Sequence, residues 1–215
     1  MPKAARRRPG GRWSAYYRRT SKRPPRETLV QVLGRIDSEQ GSGPGRTAIE
    51  LGFGAGTDTL ELLRKGWTVL AIDREAEAAR VLARRVPAAW RDRLTVVVAP
   101  MEEVRLPTAD LVYAGFSLPF CPPDRFPVVW RNIRKAVRPG GHFAGQLFGD
   151  RDEWNRERSL TFHRRREVER LAYRWRVELL RETDEDGQTM EGPKRWHFFD
   201  LILEQRRHPG RTRSR

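Results

Sequence analysis

Three glycines at alternate positions, Gly52, Gly54 and Gly56, follow a short apolar run and precede a helical pattern. A glycine-rich loop between a strand and a helix can hold a nucleotide, because glycine permits a tight turn and lets the backbone approach the ligand closely. Asp73 ends the next apolar run, 21 residues after Gly52, where a carboxylate can accept hydrogen bonds from both hydroxyls of a ribose. The residues therefore predict nucleotide binding. The identity of the nucleotide distinguishes hydride transfer, which uses NAD, from methyl transfer, which uses S-adenosylmethionine.

The charges around this loop favour a nucleotide without a diphosphate. A dinucleotide fingerprint, GxGxxG, requires a glycine at position 57, where the chain has Thr57. A diphosphate binds at a helix N-terminus through the exposed N–H groups and the helix dipole. Asp58 lies at that N-terminus, however, and Glu50 lies at the end of the preceding strand. Two carboxylates repel a diphosphate and suit a ligand that brings an ammonium and a sulfonium, such as S-adenosylmethionine.

Alternating strands and helices position the loop. Apolar runs predict strands at Thr47–Gly52, Thr68–Asp73, Leu94–Ala99, Asp110–Ala114 and His142–Phe148. Helical spacing predicts helices at Arg26–Ile36, Thr57–Lys65, Glu75–Val86, Phe126–Val137 and Arg165–Tyr173. The continuous β-branched runs Leu94–Ala99 and Asp110–Ala114 are typical of strands covered on both faces. Two final strands, Arg176–Glu182 and Trp196–Glu204, have the spacing of a hairpin, so the pattern predicts an open, doubly wound α/β sheet that ends antiparallel.

The segment "IELGFGAGTDTLEL…GWTVLAID" resembles motif I and the second-strand acid of class I S-adenosylmethionine-dependent methyltransferases. The similarity continues through "ADLVYAGFSLPFCPPDRFPVVWRNIRKAVRPGGHFAGQLFGDRDEW" and "EGPKRWHFFDLILEQR", and it covers roughly residues 13–206. Within the superfamily the chain is most similar to small tellurite-resistance-type methyltransferases. The resemblance implies a Rossmann-like, doubly wound, seven-stranded sheet, mostly parallel with the last strand antiparallel, with helices on both faces. It also implies S-adenosyl-L-methionine as the cofactor.

The resemblance implies a set of cofactor contacts, which run from the methionine part to the ribose and the adenine. They are Tyr17, Glu50, Gly52, Gly54, Gly56, Asp73, Arg74, Met101, Glu102 and Phe116. Asp73 would hold the ribose, Arg74, Met101 and Glu102 would lie near the adenine, and Phe116 would lie beside the methyl group or simply pack in the core. The chain departs from the family at Pro100, where an Asp is common, which leaves the adenine amino contact to Glu102 or to the backbone.

Few residues are candidates for acid–base chemistry. His197 is the best candidate base, because it enters the last strand from a loop that could overhang the pocket; the alternative is a packed strand histidine. No catalytic role is predicted for His142, His163 or His208. Cys121 is not predicted to be a nucleophile, because methyl transfer needs no covalent enzyme intermediate. No His, Cys or Asp cluster has the spacing of metal ligands, so no metal site is predicted.

The segment "WSAYY" places Trp13, Tyr16 and Tyr17 in an otherwise polar and basic stretch. Such a cluster is unusual in an unanchored tail, so we expect it to pack back on the body of the protein. In the resembling family the N-terminal helix covers the cofactor. Tyr17 would then touch the carboxylate end of the methionine part, or it would only pack.

The net charge of +15 comes from the two ends of the chain. Residues 1–26 hold ten of the 43 Lys and Arg residues and residues 205–215 hold five, which leaves 28 basic against 28 acidic residues between them. We therefore predict basic tails at residues 1–12 and 207–215 around a single methyltransferase domain at residues 13–206. One cysteine and no long apolar run favour a cytoplasmic enzyme without a membrane partner.

These patterns favour a methyltransferase that acts on a small-molecule acceptor. One alternative is an RNA or protein methyltransferase that docks its substrate through the basic tails, since only the tails are suited to nucleic acid. A second is an NAD-dependent oxidoreductase, which Thr57 and Asp58 disfavour. A third is a protein that binds S-adenosylmethionine without catalysis.

Overall fold

One mixed β-sheet forms the centre of the chain in this computed structural model, which describes residues 16–17, 19–41, 45–189 and 192–207. Within those residues its strands are β1 (Thr47–Leu51), β2 (Thr68–Asp73), β3 (Leu94–Val98), β4 (Ala109–Ala114), β5 (Val137–Gly149), β6 (Phe162–His163), β7 (Trp175–Gln188) and β8 (Pro193–Gln205). They lie in the order β3-β2-β1-β4-β5-β8-β7, and the short β6 pairs with β5. β8 is antiparallel to both neighbours, and the other pairs are parallel. The predicted doubly wound sheet with its last strand antiparallel is confirmed, and β6 is an addition to it.

Helices cover both faces of this sheet. They are α1 (Glu27–Gln40), α2 (Thr57–Arg64), α3 (Ala76–Arg85), α4 (Phe126–Ala136) and α5 (Arg165–Ala172). α1, α2 and α3 bury their apolar sides in one core, and α4 and α5 bury theirs in the other. α1 shows why the periodicity was informative, since Leu29, Val32, Leu33 and Ile36 are all buried as the spacing predicts.

The prediction that strand Leu94–Ala99 is covered on both faces is wrong. Val96 is 38% exposed and Val98 is 48% exposed, because β3 is the edge strand and the segment that follows it forms no helix. β4 has a similar run of apolar residues but lies between β1 and β5, and all six of its residues are buried. The strand order, rather than the local composition, produces the difference.

The C-terminal hairpin is longer than its apolar residues indicate. β7 continues to Gln188 and β8 starts at Pro193, so most of the polar stretch between the two predicted strands is itself strand. Cross-strand ion pairs join its arms, as between Arg195 and Asp184 (2.8 Å). β5 likewise begins earlier than predicted, through Pro139-Gly140-Gly141, with a register shift against β4 and a left-handed Gly140 (φ 78°).

Parts of several predictions lie outside the described residues: the basic tail 1–12, Trp13, His208 and residues 208–215 of the second tail. Within the described part, no helix combines the length and the apolar character needed to cross a lipid bilayer.

Candidate active site

The loop between β1 and α2 depends on three left-handed glycines. Gly52, Gly54 and Gly56 have φ values of 72°, 56° and 78°. Residues that carry a Cβ atom rarely adopt this backbone conformation. Gly52 donates a hydrogen bond to the Ile72 carbonyl (2.6 Å). A Cβ atom at position 52 would lie 2.3 Å from the Ser117 Cβ. The loop therefore needs glycine both for its conformation and for its packing.

Asp73 holds this loop from the end of the neighbouring strand. One carboxylate oxygen accepts a hydrogen bond from the Gly54 amide (2.8 Å), and the other accepts one from the Glu75 amide (3.0 Å). The parallel pairing of β1 with β2 brings the two carboxyl ends together, as the sequence predicts. Burial raises the pKa of Asp73, against the lowering effect of its two backbone hydrogen bonds. Asp73 therefore has a structural role in the loop in addition to the predicted contact with ribose.

Glu50 lies beneath the loop rather than on its surface. Its side chain is 2% exposed and accepts a hydrogen bond from the Thr59 hydroxyl of α2 (2.5 Å). Burial first, and then the negative charge of Asp58, raise the pKa of Glu50 from 4.5 to about 8. At neutral pH this carboxyl group is therefore mostly protonated.

The negative charge of Asp58 is balanced by an arginine of the N-terminal segment. Its carboxylate accepts two hydrogen bonds from the Arg23 guanidinium (3.0 and 2.6 Å), one from the Arg26 amide (3.0 Å) and one from the Tyr113 hydroxyl (3.3 Å). Together with the raised pKa of Glu50, this pairing leaves much less free negative charge at the loop than the sequence argument assumed. A diphosphate would therefore meet less repulsion at this loop than the sequence predicts.

The N-terminal segment covers the glycine loop. Tyr17 is 3% exposed, and its ring lies where a Cβ atom on Gly54 would meet it at 3.6 Å. Arg85 of α3 donates hydrogen bonds to the carbonyl groups of Ser21 (2.7 Å) and Ala55. The expectation that these aromatic residues pack on the body therefore holds for Tyr17, and its contact with the cofactor stays a prediction.

The predicted adenine residues lie at the same edge of the sheet. Arg74 follows β2. Met101 and Glu102 follow β3, and both side chains are half-buried. Burial and the charge of Glu102 raise the pKa of the nearby Cys121 to about 12, while Arg74 lowers it slightly. Cys121 is 1% exposed, and its thiol stays protonated at neutral pH, in agreement with the absence of a predicted nucleophilic role.

Phe116 follows β4 in a strained conformation. Its φ of 56° is the one positive value among the described residues other than glycine. Its amide donates a hydrogen bond to the Gln146 side chain (3.0 Å), and the Arg26 guanidinium lies 4.7 Å from its ring centroid. Gln146 in turn donates to Thr28 (2.7 Å) and to Asp200 (2.9 Å). A buried polar network thus fixes the strained residue, as is common at functional sites.

Aromatic side chains extend from Phe116 across the ends of β5 and β8. This aromatic wall consists of Phe116, Phe120, Phe148, Trp154, Phe162, Trp196 and Phe198. All except Phe148 are half-buried, and so present apolar surface at the carboxyl end of the sheet. Lys194 is buried within the wall, 3.5 Å from the Trp196 ring centroid and 2.6 Å from an Asp152 carboxylate oxygen. The wall was not predicted, although the alternation of Trp196 and Phe198 along one strand was a local signal for it.

His197 points to the opposite face of β8. Phe199, two residues further along, packs in the core with α4 and α5, whereas Trp196 and Phe198 contact Phe116. The ring of His197 is 0% exposed, and its Nδ1 accepts a hydrogen bond from the Arg151 amide (2.9 Å). Its Nε2 lies 2.9 Å from a Glu182 carboxylate oxygen, to which it donates. Both ring nitrogens therefore form hydrogen bonds on the face of β8 opposite Phe116, so we do not retain His197 as the base.

Replacing Glu50 by glutamine is expected to remove part of the pH dependence of stability. Because the folded protein holds a proton that the unfolded chain loses, the free energy of unfolding should fall as pH rises from 4.5 to about 8. The slope for one proton is about 1.4 kcal/mol per pH unit at most. Glutamine does not titrate and can still accept the Thr59 hydrogen bond.

Urea unfolding of both proteins between pH 5.5 and 8.5 measures this effect. The wild-type protein should lose stability relative to Glu50→Gln with rising pH. A difference between the two proteins that stays constant over this range would contradict the raised pKa.

Residues 48–141 match a family model described as a methyltransferase domain. The match includes the glycine loop, Asp73 and Phe116. No curated protein sequence matches the chain.

Solved methyltransferase structures share the fold at low sequence identity. TehB from Haemophilus influenzae superposes with a TM-score of 0.67 at 14% identity, over 82% of this chain and 62% of that chain. The N-methyltransferase NodS from Bradyrhizobium japonicum WM9 superposes with a TM-score of 0.63 at 16% identity, over 89% and 97%. The 1,6-didemethyltoxoflavin-N1-methyltransferase of Burkholderia thailandensis, solved with 1,6-didemethyltoxoflavin and S-adenosylhomocysteine, gives 0.58 at 19% identity, over 84% and 79%. This chain thus spans less than two thirds of the length of TehB.

The family match and the strand order agree with each other. The matched residues run from β1 into the start of β5, and they carry the glycine loop and the second-strand acid on the doubly wound sheet. Residues 48–141 are thus similar to a methyltransferase domain, and the sheet that carries them has the fold of solved methyltransferases.

Proposed function

We propose that this enzyme transfers a methyl group from S-adenosylmethionine to a small-molecule acceptor that binds against the aromatic wall. The observation that carries the proposal is the position of Phe116, which joins the wall to the end of β4 beside the glycine loop. Half-buried aromatic rings favour an acceptor with a planar, apolar part. The toxoflavin methyltransferase supports this proposal, because it has the same fold and was solved with its heterocyclic ligand.

The residues around the loop have distinct proposed roles. The backbone of Gly52, Gly54 and Gly56 would surround the methionine part, and Tyr17 would cover it. Asp73 holds the ribose through the carboxylate that already orients the loop. An ammonium group above the loop would favour the ionised form of Glu50, so cofactor binding would release a proton.

Arg74, Met101 and Glu102 would surround the adenine at the ends of β2 and β3. Their shared edge of the sheet supports this assignment. Phe116 would lie beside the methyl group, with its backbone fixed by Gln146.

Alignment carries the chemistry in this proposal. When bound, S-adenosylmethionine supplies a methyl group already activated by its sulfonium, and a lone pair of the acceptor displaces it in line. The wall would hold the acceptor at attack distance and exclude water, and such positioning can contribute roughly 7–11 kcal/mol in the best cases. An anionic or already deprotonated acceptor needs no base, which fits the engagement of His197 elsewhere.

The charges at this site favour a small acceptor over a polyanion. Lys194 and Arg195 are the two basic residues at the start of β8. Lys194 is buried and paired with Asp152, and Arg195 pairs with Asp184 and Asp186. Affinity for nucleic acid would therefore come from the tails and would be salt-sensitive and independent of sequence. We also propose that residues 13–206 form the catalytic domain and that the enzyme is cytoplasmic.

A variant lacking residues 1–10 and 208–215 tests the proposed acceptor class. We expect it to keep its affinity for S-adenosylhomocysteine and its turnover of the true acceptor, because both sites lie in the described body. It should lose most of any affinity for RNA or DNA, because the removed segments carry seven basic residues and no acidic one. A methylation screen of small molecules, RNA and protein substrates at two salt concentrations measures each effect.

The outcome separates the alternatives. If trimming abolishes methylation while the fold and cofactor affinity persist, tail-docked RNA or protein methylation replaces the small-molecule proposal. If cofactor binds normally and no substrate is methylated by either form, the protein is a non-catalytic binder.

A further inference from the structure

His142 is a fully buried histidine whose ring has no hydrogen-bond partner among the described residues. It lies on β5 opposite Glu204 of β8, its side chain is 0% exposed, and both ring nitrogens are unsatisfied. Most buried polar atoms in proteins have a partner, and an orphaned one often marks a bound water or ion. Two such atoms on one ring therefore call for a ligand.

Carboxylates from two other elements surround this ring. The Oε2 atom of Glu178 lies 3.4 Å from the His142 Nε2 and is itself buried, with no hydrogen-bond partner in the part of the chain that the structure describes. Glu39, at the end of α1, brings a third group, and one ligand atom from each residue lies within 4.8 Å of the others. Metal–ligand bonds of about 2 Å place two ligand atoms roughly 3–4 Å apart, so a small closure would bring all three to one ion.

The charge balance also favours a cation. Glu39, Glu178 and Glu204 all pair with one guanidinium, that of Arg176, at 3.1 Å, 2.7 Å and a shorter contact respectively. Three carboxylates thus share one paired arginine. Arg206 and Arg207 line the same opening, but in the described part of the chain neither forms an ion pair with these carboxylates.

We propose that His142, Glu178 and Glu39 bind a divalent transition-metal ion of the zinc type. One imidazole nitrogen with carboxylate oxygens suits zinc and its neighbours, whereas magnesium and calcium prefer oxygen ligands alone. The side chain of Arg176 is 53% exposed, so it can turn toward solvent when the ion enters.

This site is structural rather than catalytic. His142 lies in the first half of β5, and the far end of the same strand carries Phe148 of the aromatic wall. The ion would tie the end of α1 to β5 and β7, while the other end of α1 begins beside Arg26 at the active site. Metal binding is therefore expected to stabilise the fold and to leave the affinity for S-adenosylhomocysteine unchanged.

Titration of the full, untagged chain with ZnCl₂ after chelator treatment tests the proposal. We expect one ion per chain by calorimetry, a higher unfolding temperature, and much weaker binding of MgCl₂. We expect at least about a tenfold loss of zinc affinity in each of three variants: His142→Asn, Glu178→Gln and Glu39→Gln. Tenfold is the lower end of the loss found when a residue that only supports a metal ligand is replaced, so a ligand itself should cost no less.

Two control variants should bind zinc as the wild-type protein does. His163→Asn removes another buried histidine with an unsatisfied nitrogen, and Glu103→Gln removes an exposed carboxylate. Glu39 is exposed, so Glu39→Gln decides the question even if His142→Asn does not fold. The proposal is overturned if the wild-type chain shows no stoichiometric binding, or if Glu39→Gln and Glu178→Gln bind as tightly as it does; the cluster would then be an ion-pair network without a metal.

Discussion

Replacing Gly54 by valine is expected to lower the affinity for S-adenosylhomocysteine by at least about 100-fold, or about 2.7 kcal/mol. Valine is strongly disfavoured at φ 56°, so the loop must change shape and weaken the hydrogen bond from the Gly54 amide to Asp73. The new side chain would also press against the Tyr17 ring, which a Cβ atom at position 54 meets at 3.6 Å, and would displace the residue proposed to cover the methionine part.

Gly34→Val is the matched control for this substitution. Gly34 lies on the exposed side of α1, and a Cβ atom there meets nothing within 4 Å. Calorimetric titration of both folded variants should show normal binding for Gly34→Val and none for Gly54→Val. Binding by Gly54→Val within a fewfold of the wild-type value would disprove the assignment of the loop.

The second large effect is expected for Asp73→Ala. This substitution should weaken cofactor binding by roughly 1–3 kcal/mol, or about 5–150-fold in affinity. The variant loses the acceptor of two backbone hydrogen bonds, at Gly54 and Glu75, and it loses the proposed contacts with ribose. The exposed residue Asp92 provides a control, since Asp92→Ala removes the same group from the turn just before β3. Titration with S-adenosylhomocysteine, with unfolding temperature as a check on the fold, measures the loss. Equal affinities for the Asp73→Ala and Asp92→Ala variants would show that Asp73 does not act in binding.

The glycine loop and its acid were predictable because their signals are local. Gly52, Gly54 and Gly56 lie between a strand pattern and a helix pattern, and Asp73 ends the next strand. Parallel neighbours then bring these ends together without further information. The same reasoning failed for β3, because the sequence of a strand does not reveal whether a helix covers it.

Residues that act through distant partners could not be predicted in this way. The alternation along β8 indicates that His197 opposes Trp196, but the neighbouring strands decide which face meets the active site. The pairing of Arg23 with Asp58 joins residues 35 positions apart, and it balances the negative charge that was predicted to repel a diphosphate at the glycine loop. The proposed metal ligands at positions 39, 142 and 178 show no motif, since only the fold brings them together.

The position of β8 has a consequence for biosynthesis. This strand comes last among those described, yet it lies in the interior of the sheet, between β5 and β7. Until the ribosome has released residues 193–205, β5 and β7 each present an open edge, and open edges promote aggregation. Completion of the sheet thus has to wait for β8, and a nascent chain that stalls within β8 would be a natural substrate for chaperones.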